Sequence, residues 1–93
     1  MRNTILFGGS NKERLVSVAS AQALCEALPD ADLWFWHVAD TVHEVTPAQL
    51  LGHKRPFEDV FKPESRGVPF AQALDRAKAE SRVLVLEIGR AHV

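Results

Sequence analysis

The amino-acid sequence predicts a small α/β domain in which helices cover both faces of a mostly parallel sheet, giving three layers. Apolar runs around residues 5, 34 and 84 have the length and composition of strands that are covered on both sides. Between these runs lie stretches in which apolar residues recur at the spacing of an α-helix. Because strands and helices alternate along the chain, we expect the strands to run parallel and to be joined by right-handed crossovers.

A glycine corner is predicted to join the first strand to the first helix. The strand covers residues 5–7, and Gly8 and Gly9 after it can adopt backbone angles that a β-carbon would forbid. Ser10 and Glu13 have the spacing of a capping box, in which each side chain bonds a backbone amide at the helix start. Unpaired amides at such a start, at the carboxyl edge of a parallel strand, form an electropositive corner that can bind anionic or small polar ligands.

The middle of the chain is predicted to contain two strands and a short helix. The first helix runs over about residues 11–28 and ends before a proline. Residues 33–36 then form an aromatic strand in the interior of the sheet. After a turn, residues 42–45 pair briefly as an edge strand. Thr46 caps a helical turn that begins at Pro47.

A loop, a helix and a strand are predicted for the remainder. The loop covers residues 52–68 and is held to the body by Phe57, Val60 and Phe61. Pro69 opens a helix whose apolar side chains face the core. These are Phe70, Ala73, Leu74 and Ala77, while Gln72, Asp75, Arg76 and Lys78 face outwards. The helix leads into a buried strand over residues 83–86.

The glycine corner and the helix after it resemble the amino-terminal signature of D-alanine-D-alanine ligases. In that family an apolar strand runs into a Gly-Gly corner, followed by a glutamate, a Val-Ser pair and a helix of small residues. The matching positions here are Gly8-Gly9, Glu13, Val16-Ser17 and residues 19–21. The family usually has a serine at the place of Asn11 and a second carboxylate at that of Leu15, so the resemblance leaves the side chain of the substrate open.

The resemblance implies the amino-terminal, Rossmann-like domain that precedes the ATP-grasp domains of such ligases, covering residues 1–86. The enzymes join two D-alanines for peptidoglycan precursors. By resemblance, Glu13 holds the ammonium of the first D-alanine, and Val16 and Ser17 line the same pocket. The loop at the start of the helix is formed by Gly8, Gly9 and Ser10. ATP and Mg²⁺ belong to domains outside this chain, so we expect no catalytic residue and no turnover from the chain alone, and a homodimer is a further expectation.

Simpler interpretations of the same residues stay open. A capping box explains Ser10 and Glu13 without any ligand, and Ser17 could bond a carbonyl one turn back in its own helix. The corner from Gly8 to Lys12 could instead cradle the phosphate of a nucleotide or flavin, although it lacks a complete glycine-rich nucleotide motif. A non-catalytic association domain is a third alternative.

Composition argues against several other classes of protein. The net charge is −1 and the basic residues are scattered, so we expect no nucleic-acid partner. No apolar segment reaches membrane-spanning length, so we expect no membrane association and a cytoplasmic protein. The one cysteine, Cys25, is expected to be a packed thiol. His37, His43 and His53 lack metal-ligand spacing and are interpreted as surface or strand-end residues, with no metal site.

The last residues differ in character from the rest. Residues 87–93, with the sequence EIGRAHV, resemble the translation of a sequencing-library adapter. We therefore interpret them as a non-native tail and leave them out of the fold prediction.

Overall fold

The computed structural model describes residues 2–9, 14–37, 40–54, 61–63 and 65–87. This part of the chain forms a five-stranded sheet and three helices. In chain order the elements are β1 (Arg2–Gly8), α1 (Arg14–Ala27), β2 (Asp32–Trp36), β3 (Thr41–Val45), α2 (Pro47–Leu51), β4 (Val68–Pro69), α3 (Phe70–Ala79) and β5 (Arg82–Glu87).

The sheet is mixed, with the strand order β4-β3-β2-β1-β5. β1 pairs in parallel with both β2 and β5, whereas β3 pairs antiparallel with β2 and with β4. The predicted α/β class is therefore confirmed, but the sheet is mixed where we expected it to be mostly parallel. The cause is the turn before β3, where Asp40 has a φ of 66° and the amide of His37 bonds the carbonyl of Thr41 at 2.8 Å. This turn folds β3 back beside β2 without a crossover helix.

The central strands bury side chains on both faces, as the sequence predicts. Ile5 and Phe7 of β1 point to the face that α1 and α2 cover, and Leu6 points to the face that α3 covers. In β2, Leu33 points to the face that α1 and α2 cover, and Trp34 points to the face that α3 covers. The expected interior position of the aromatic strand is confirmed, because β2 lies between β1 and β3.

The two helical crossovers lie on opposite faces of the sheet. α1 leads from β1 to its neighbour β2, whereas α3 leads from β4 at one edge to β5 at the other. Each antiparallel step reverses the strand direction, so β4 runs the same way as β5. Since the two crossovers travel in opposite directions across the sheet and use opposite faces, they share one hand, as expected for β-α-β units.

α3 packs on the sheet through small side chains. Ala73 and Ala77 are buried in one cluster with Leu6 and Trp34. At the start of the helix the ring of Phe70 stacks on Trp36, with centroids 4.2 Å apart and planes inclined by 17°. The predicted core-facing stripe is confirmed at the two alanines, but Leu74 is 37% exposed and lies at the border of the buried face.

Two further local predictions, the cap of α2 and the burial of Phe61, are confirmed, and one, the edge position of β3, is corrected. The hydroxyl of Thr46 caps α2 by accepting from the amide of Gln49, as predicted. Phe61 is buried, also as predicted, while Phe57 and Val60 lie outside the described residues. β3 is not an edge strand, because β4 pairs with its outer side through two residues that the sequence shows only as loop and helix start.

The expectation of a buried last strand is wrong. β5 forms where predicted, but it pairs with β1 alone among the described strands and lies at the edge of the sheet. Val83 is 40% exposed and Leu86 58% exposed. Glu87, the first residue of the expected tail, pairs with Phe7 in this strand, and residues 88–93 lie outside the described residues.

The helices are short or only partly apolar. In the part of the chain that the structure describes, no helix combines the length and hydropathy needed to cross a membrane. Cys25 on α1 is buried in the cluster with Ile5 and Phe7, which confirms its interpretation as a packed thiol. Burial, followed by the nearby charge of Glu26, raises the pKa of this thiol.

The close packing of α3 predicts that a larger side chain lowers the stability of the domain on the buried face of the helix and has little effect on its exposed face. Ala77→Leu should destabilise the domain by about 1–3 kcal/mol, because the added carbons have to fit against Trp34 and the sheet. Ala79→Leu, on the same helix at an exposed position, should change stability little. Urea unfolding followed by circular dichroism measures both, and equal effects of the two substitutions would contradict this packing.

Candidate functional site at the carboxyl ends of the parallel strands

The topology locates a candidate site beside the carboxyl end of β1. β1 lies between β2 and β5, and the crossover that follows β1 uses one face of the sheet while the crossover into β5 uses the other. In open α/β sheets, ligands bind outside the carboxyl ends of the strands at such a reversal of direction. Gly8 and Gly9 end β1 at this place. The predicted glycine corner therefore lies where the topology alone locates a candidate site.

The corner requires glycine for two physical reasons. Gly8 and Gly9 have φ angles of 98° and 106°, a backbone region that residues with a β-carbon rarely adopt. A β-carbon on Gly8 would also lie 2.6 Å from the carbonyl oxygen of Trp36 and 2.8 Å from a ring carbon of Phe35. The end of β1 thus approaches the end of β2 more closely than any side chain at position 8 would allow.

Ser17 holds the corner from below. Its side chain is almost fully buried, and its hydroxyl oxygen accepts a hydrogen bond from the amide of Gly8 at 2.8 Å. The helix begins after the corner and brings Ser17 back beneath it, nine residues along the chain. The observed bond therefore runs from the corner amide to the serine oxygen. Ser17 therefore orients the corner from a buried position.

Both amides of the glycine pair are engaged inside the protein. The amide of Gly8 donates to Ser17, and that of Gly9 donates to the carbonyl of Trp36 at 2.8 Å. A phosphate cradle needs amides that point outwards and are free to donate. These two amides are not free, so a phosphate at this corner would have to use other groups.

The remaining residues of the predicted site fall outside the described part of the chain. Ser10 and Glu13 lie in the undescribed segment, as does Asn11, where the sequence predicts the helix to start. Val16 belongs to α1, but its side chain is also outside the described set. The structure therefore brings together Gly8, Gly9 and Ser17, and the role of Glu13 stays a prediction.

Three packed aromatic rings of the core lie beside the corner. The rings of Phe7, Phe35 and Phe61 pack edge to face or tilted, with centroid separations of 5.3, 5.8 and 5.0 Å. Ring pairs at these distances add to the stability that burial alone provides. Because Phe35 also contacts the space that a β-carbon on Gly8 would fill, this aromatic group fixes how closely the strand ends approach.

Two histidines lie near the end of β2, in roles that the sequence does not show. The rings of His37 and His43 are 5.8 Å apart. His43 contacts the carbonyl of Ser65 through Nδ1 at 2.8 Å and the hydroxyl of Thr41 through Nε2 at 2.9 Å. A carbonyl only accepts, so Nδ1 carries the proton, and His43 fastens the segment before β4 to β3. Across the described residues, no three His, Cys, Asp or Glu side chains converge as a metal site.

A second polar cluster lies at the opposite, amino end of the strands. Arg82 at the start of β5 bonds Asp32 at the start of β2 and, at 2.8 Å, the hydroxyl of Thr4 between them. Glu80 accepts from both Arg82 and Arg76, and Arg76 also pairs with Glu44. The guanidinium carbons of Arg76 and Arg82 lie 5.5 and 4.9 Å from the ring centre of Trp34.

This amino-end cluster is structural in character, because its charges bond one another. The Arg82 side chain is only 7% exposed and is satisfied by three partners. Hydrogen bonds from Arg82 and then Arg76 lower the pKa of the Glu80 carboxylate. Sequence reasoning missed the cluster, since its members lie up to 78 positions apart and no local pattern links Thr4 or Asp32 to Arg82.

Comparison with protein-family models, with curated proteins and with solved structures gave no match. A functional proposal therefore rests on the geometry of the glycine corner and on the resemblance of its residues to the ligase signature.

The buried hydrogen bond between Ser17 and Gly8 predicts how much stability the protein loses when the serine hydroxyl is removed. Ser17→Ala should destabilise the protein by about 1–3 kcal/mol, because the amide of Gly8 would stay buried without an acceptor. Ser20→Ala, one turn later on α1 and only half-buried, should change stability little. Thermal and urea unfolding measure both, and a Ser17→Ala variant as stable as Ser20→Ala would show that the bond does not hold the corner.

The amino-end cluster predicts a defined pH dependence. The folded state lowers the pKa of Glu80, so its contribution to stability is present above the ordinary pKa of 4.5 and is lost as the pH falls through the lower folded value. Glu80→Gln should therefore be less stable than the parent at neutral pH, and the two should converge in acid. Urea midpoints across the acid range test this, and added salt should narrow the difference at neutral pH. A difference that persists unchanged in strong acid would contradict the assignment.

Proposed function

We propose that this chain is the substrate-binding, amino-terminal part of an amino-acid ligase of the D-alanine-D-alanine ligase type. The observation that supports this most is the bond between Ser17 and Gly8. The Gly-Gly and Val-Ser halves of the family-like signature are separate in sequence, and this bond joins them in one local structure. A plain strand-to-helix turn requires no such partner for its first glycine.

The proposed site lies at the carboxyl end of β1, which has β5 as a neighbour. In this proposal Glu13 binds the ammonium of the first D-alanine. A carboxylate suits an ammonium because charge-assisted hydrogen bonds fix both its position and its orientation. Holding one reactant in a fixed orientation lowers the entropic part of the barrier to joining it with another. The engaged amides of Gly8 and Gly9 fit a site that recognises a cation better than one that cradles phosphate.

The wider proposal follows the family resemblance. The enzyme acts in the cytoplasm in the synthesis of peptidoglycan precursors, and other domains bind ATP and Mg²⁺ to activate the first carboxylate. The sheet with its helices on both faces corresponds, in this proposal, to the three-layer Rossmann-like domain of such ligases. The chain by itself supplies substrate contacts, and we expect it to release no phosphate from ATP.

A titration with amino acids tests the role of Glu13. D-Alanine should shift the amide resonances of Gly8 and Gly9, and Glu13→Gln should weaken that binding about tenfold or more, equivalent to about 1.4 kcal/mol. Glu26→Gln, a carboxylate at an exposed position of α1, is the matched control and should bind like the parent. NMR spectra recorded at increasing D-alanine concentration give both affinities.

Two outcomes would contradict the proposal. One is binding of D-alanine that leaves the glycine resonances unchanged, and the other is equal affinity of Glu13→Gln and Glu26→Gln. Titration with FMN, NAD and ATP serves as the counter-test, since tight binding of any of these at Gly8 and Gly9 would favour the nucleotide or flavin alternative.

A further inference from the structure

A small cavity lies on the face of the sheet that α3 covers, between this helix and the strands β3 and β4. Its volume is about 280 Å³. The apolar part of its lining consists of Trp34 of β2, Val42 of β3, Val68 of β4 and Ala73 of α3. This volume is at the lower end of the range for small-molecule sites, so the cavity fits a ligand with a single ring and a short substituent.

The polar groups of the lining are bonded to one another, with one exception. Arg76 pairs with Glu44, and the hydroxyl of Ser65 donates to the carbonyl of Glu44 at 2.5 Å. Arg82, just outside the cavity, also bonds carboxylates. Arg66 differs, because in the part of the chain that the structure describes its guanidinium has neither a hydrogen bond nor an ion pair. The cavity therefore has an unpaired positive charge on its lining.

The backbone on both sides of Arg66 is held in place. Before it, the carbonyl of Ser65 accepts from Nδ1 of His43 at 2.8 Å. After it, a β-carbon on Gly67 would lie 2.6 Å from two ring atoms of His43, so a side chain at position 67 would collide with that ring. The chain around an exposed, unpaired arginine is thus fixed beside the cavity. Such pre-organisation lowers the entropy that a ligand has to remove when it orders the side chain.

We propose that this cavity binds a small aromatic carboxylate, with its ring on the apolar lining and its carboxylate on Arg66. A guanidinium presents parallel N–H donors that match the two oxygens of a carboxylate. The ring removes water from the apolar lining, which favours binding. The cavity and the glycine corner share no residue, and α1, which carries Ser17, covers the opposite face of the sheet. Binding here is therefore independent of the proposed ligase function.

A neighbouring depression shows why the unpaired charge matters. It shares Trp34, Glu44 and Arg76 with the cavity and continues towards Asp32 and Arg82. Its two arginines bond carboxylates of the chain itself, so an added anion would have to displace a partner that is already in place. The Arg76–Glu44 pair belongs to both linings and forms the wall between them. Arg66 lies on the cavity side of this wall, where an anion displaces nothing.

Titration of the full chain with phenylacetate tests the proposal. The methyl resonances of Val42, Val68 and Ala73 should shift and saturate, because these side chains line the cavity. The amide resonances of Gly8 and Gly9 should stay in place, which keeps this result separate from the titration with D-alanine. Acetate lacks the ring and phenylacetamide lacks the charge, so each should bind at least about tenfold more weakly than phenylacetate.

Three variants locate the ligand. Arg66→Gln should weaken the binding of phenylacetate about tenfold or more. Lys62→Gln removes an exposed cation that precedes β4 but does not line the cavity, so it should bind like the parent. Val68→Phe fills the cavity with a ring of the protein and should abolish the binding. Circular dichroism checks that each variant is folded.

Several results would overturn the proposal. These are no saturable binding of phenylacetate, equal affinity for phenylacetate and phenylacetamide, and equal affinity for phenylacetate and acetate. Equal affinity of Arg66→Gln and Lys62→Gln, or unchanged binding by a folded Val68→Phe variant, would do the same. Saturable shifts confined to residues outside the cavity would also contradict it.

Discussion

The close approach of the ends of β1 and β2 at Gly8 is the constraint on which the rest of the structure depends. A carbonyl oxygen and an aromatic ring occupy the space that any β-carbon at this position would need. The positive φ of the glycine turns the chain out of the sheet and towards α1, and Ser17 then bonds the amide that this turn leaves buried. The position of α1 over the sheet and the packing of Phe7 on Phe35 both follow from this one contact.

The sequence predicts most of the secondary structure because its local signals are strong. Runs such as residues 5–7 and 33–36 indicate strands in the interior of a sheet, and Thr46-Pro47 is a specific helix start. The sheet order is harder to predict, because it depends on contacts that no local pattern records. β4 has two residues, and its pairing with β3 is set by His43 and Ser65, which lie 22 positions apart.

The candidate site is predictable in the same partial way. Two glycines after a strand indicate a corner, and the spacing to Ser17 is visible in the sequence, but the acceptor role of its hydroxyl depends on the angle at which α1 returns to the sheet. The engagement of the Gly9 amide is likewise a property of the fold, since it requires the carbonyl of Trp36 to lie beside the corner. β5 shows the limit of sequence reasoning most clearly, because an apolar run looks the same whether its strand has one neighbour or two.

The two indoles of this chain lie in contrasting surroundings although they are only two positions apart. Trp34 is buried near the guanidinium groups of Arg76 and Arg82, whereas Trp36 is stacked on Phe70 and donates its indole proton to Asp40 at 3.0 Å. Positive charge next to an excited indole shifts the colour of its emission, and a stacked, partly wetted indole responds to different motions. Light emitted by each ring therefore reports on different surroundings of the same strand, one on the bonded arginines and the other on the first turn of α3.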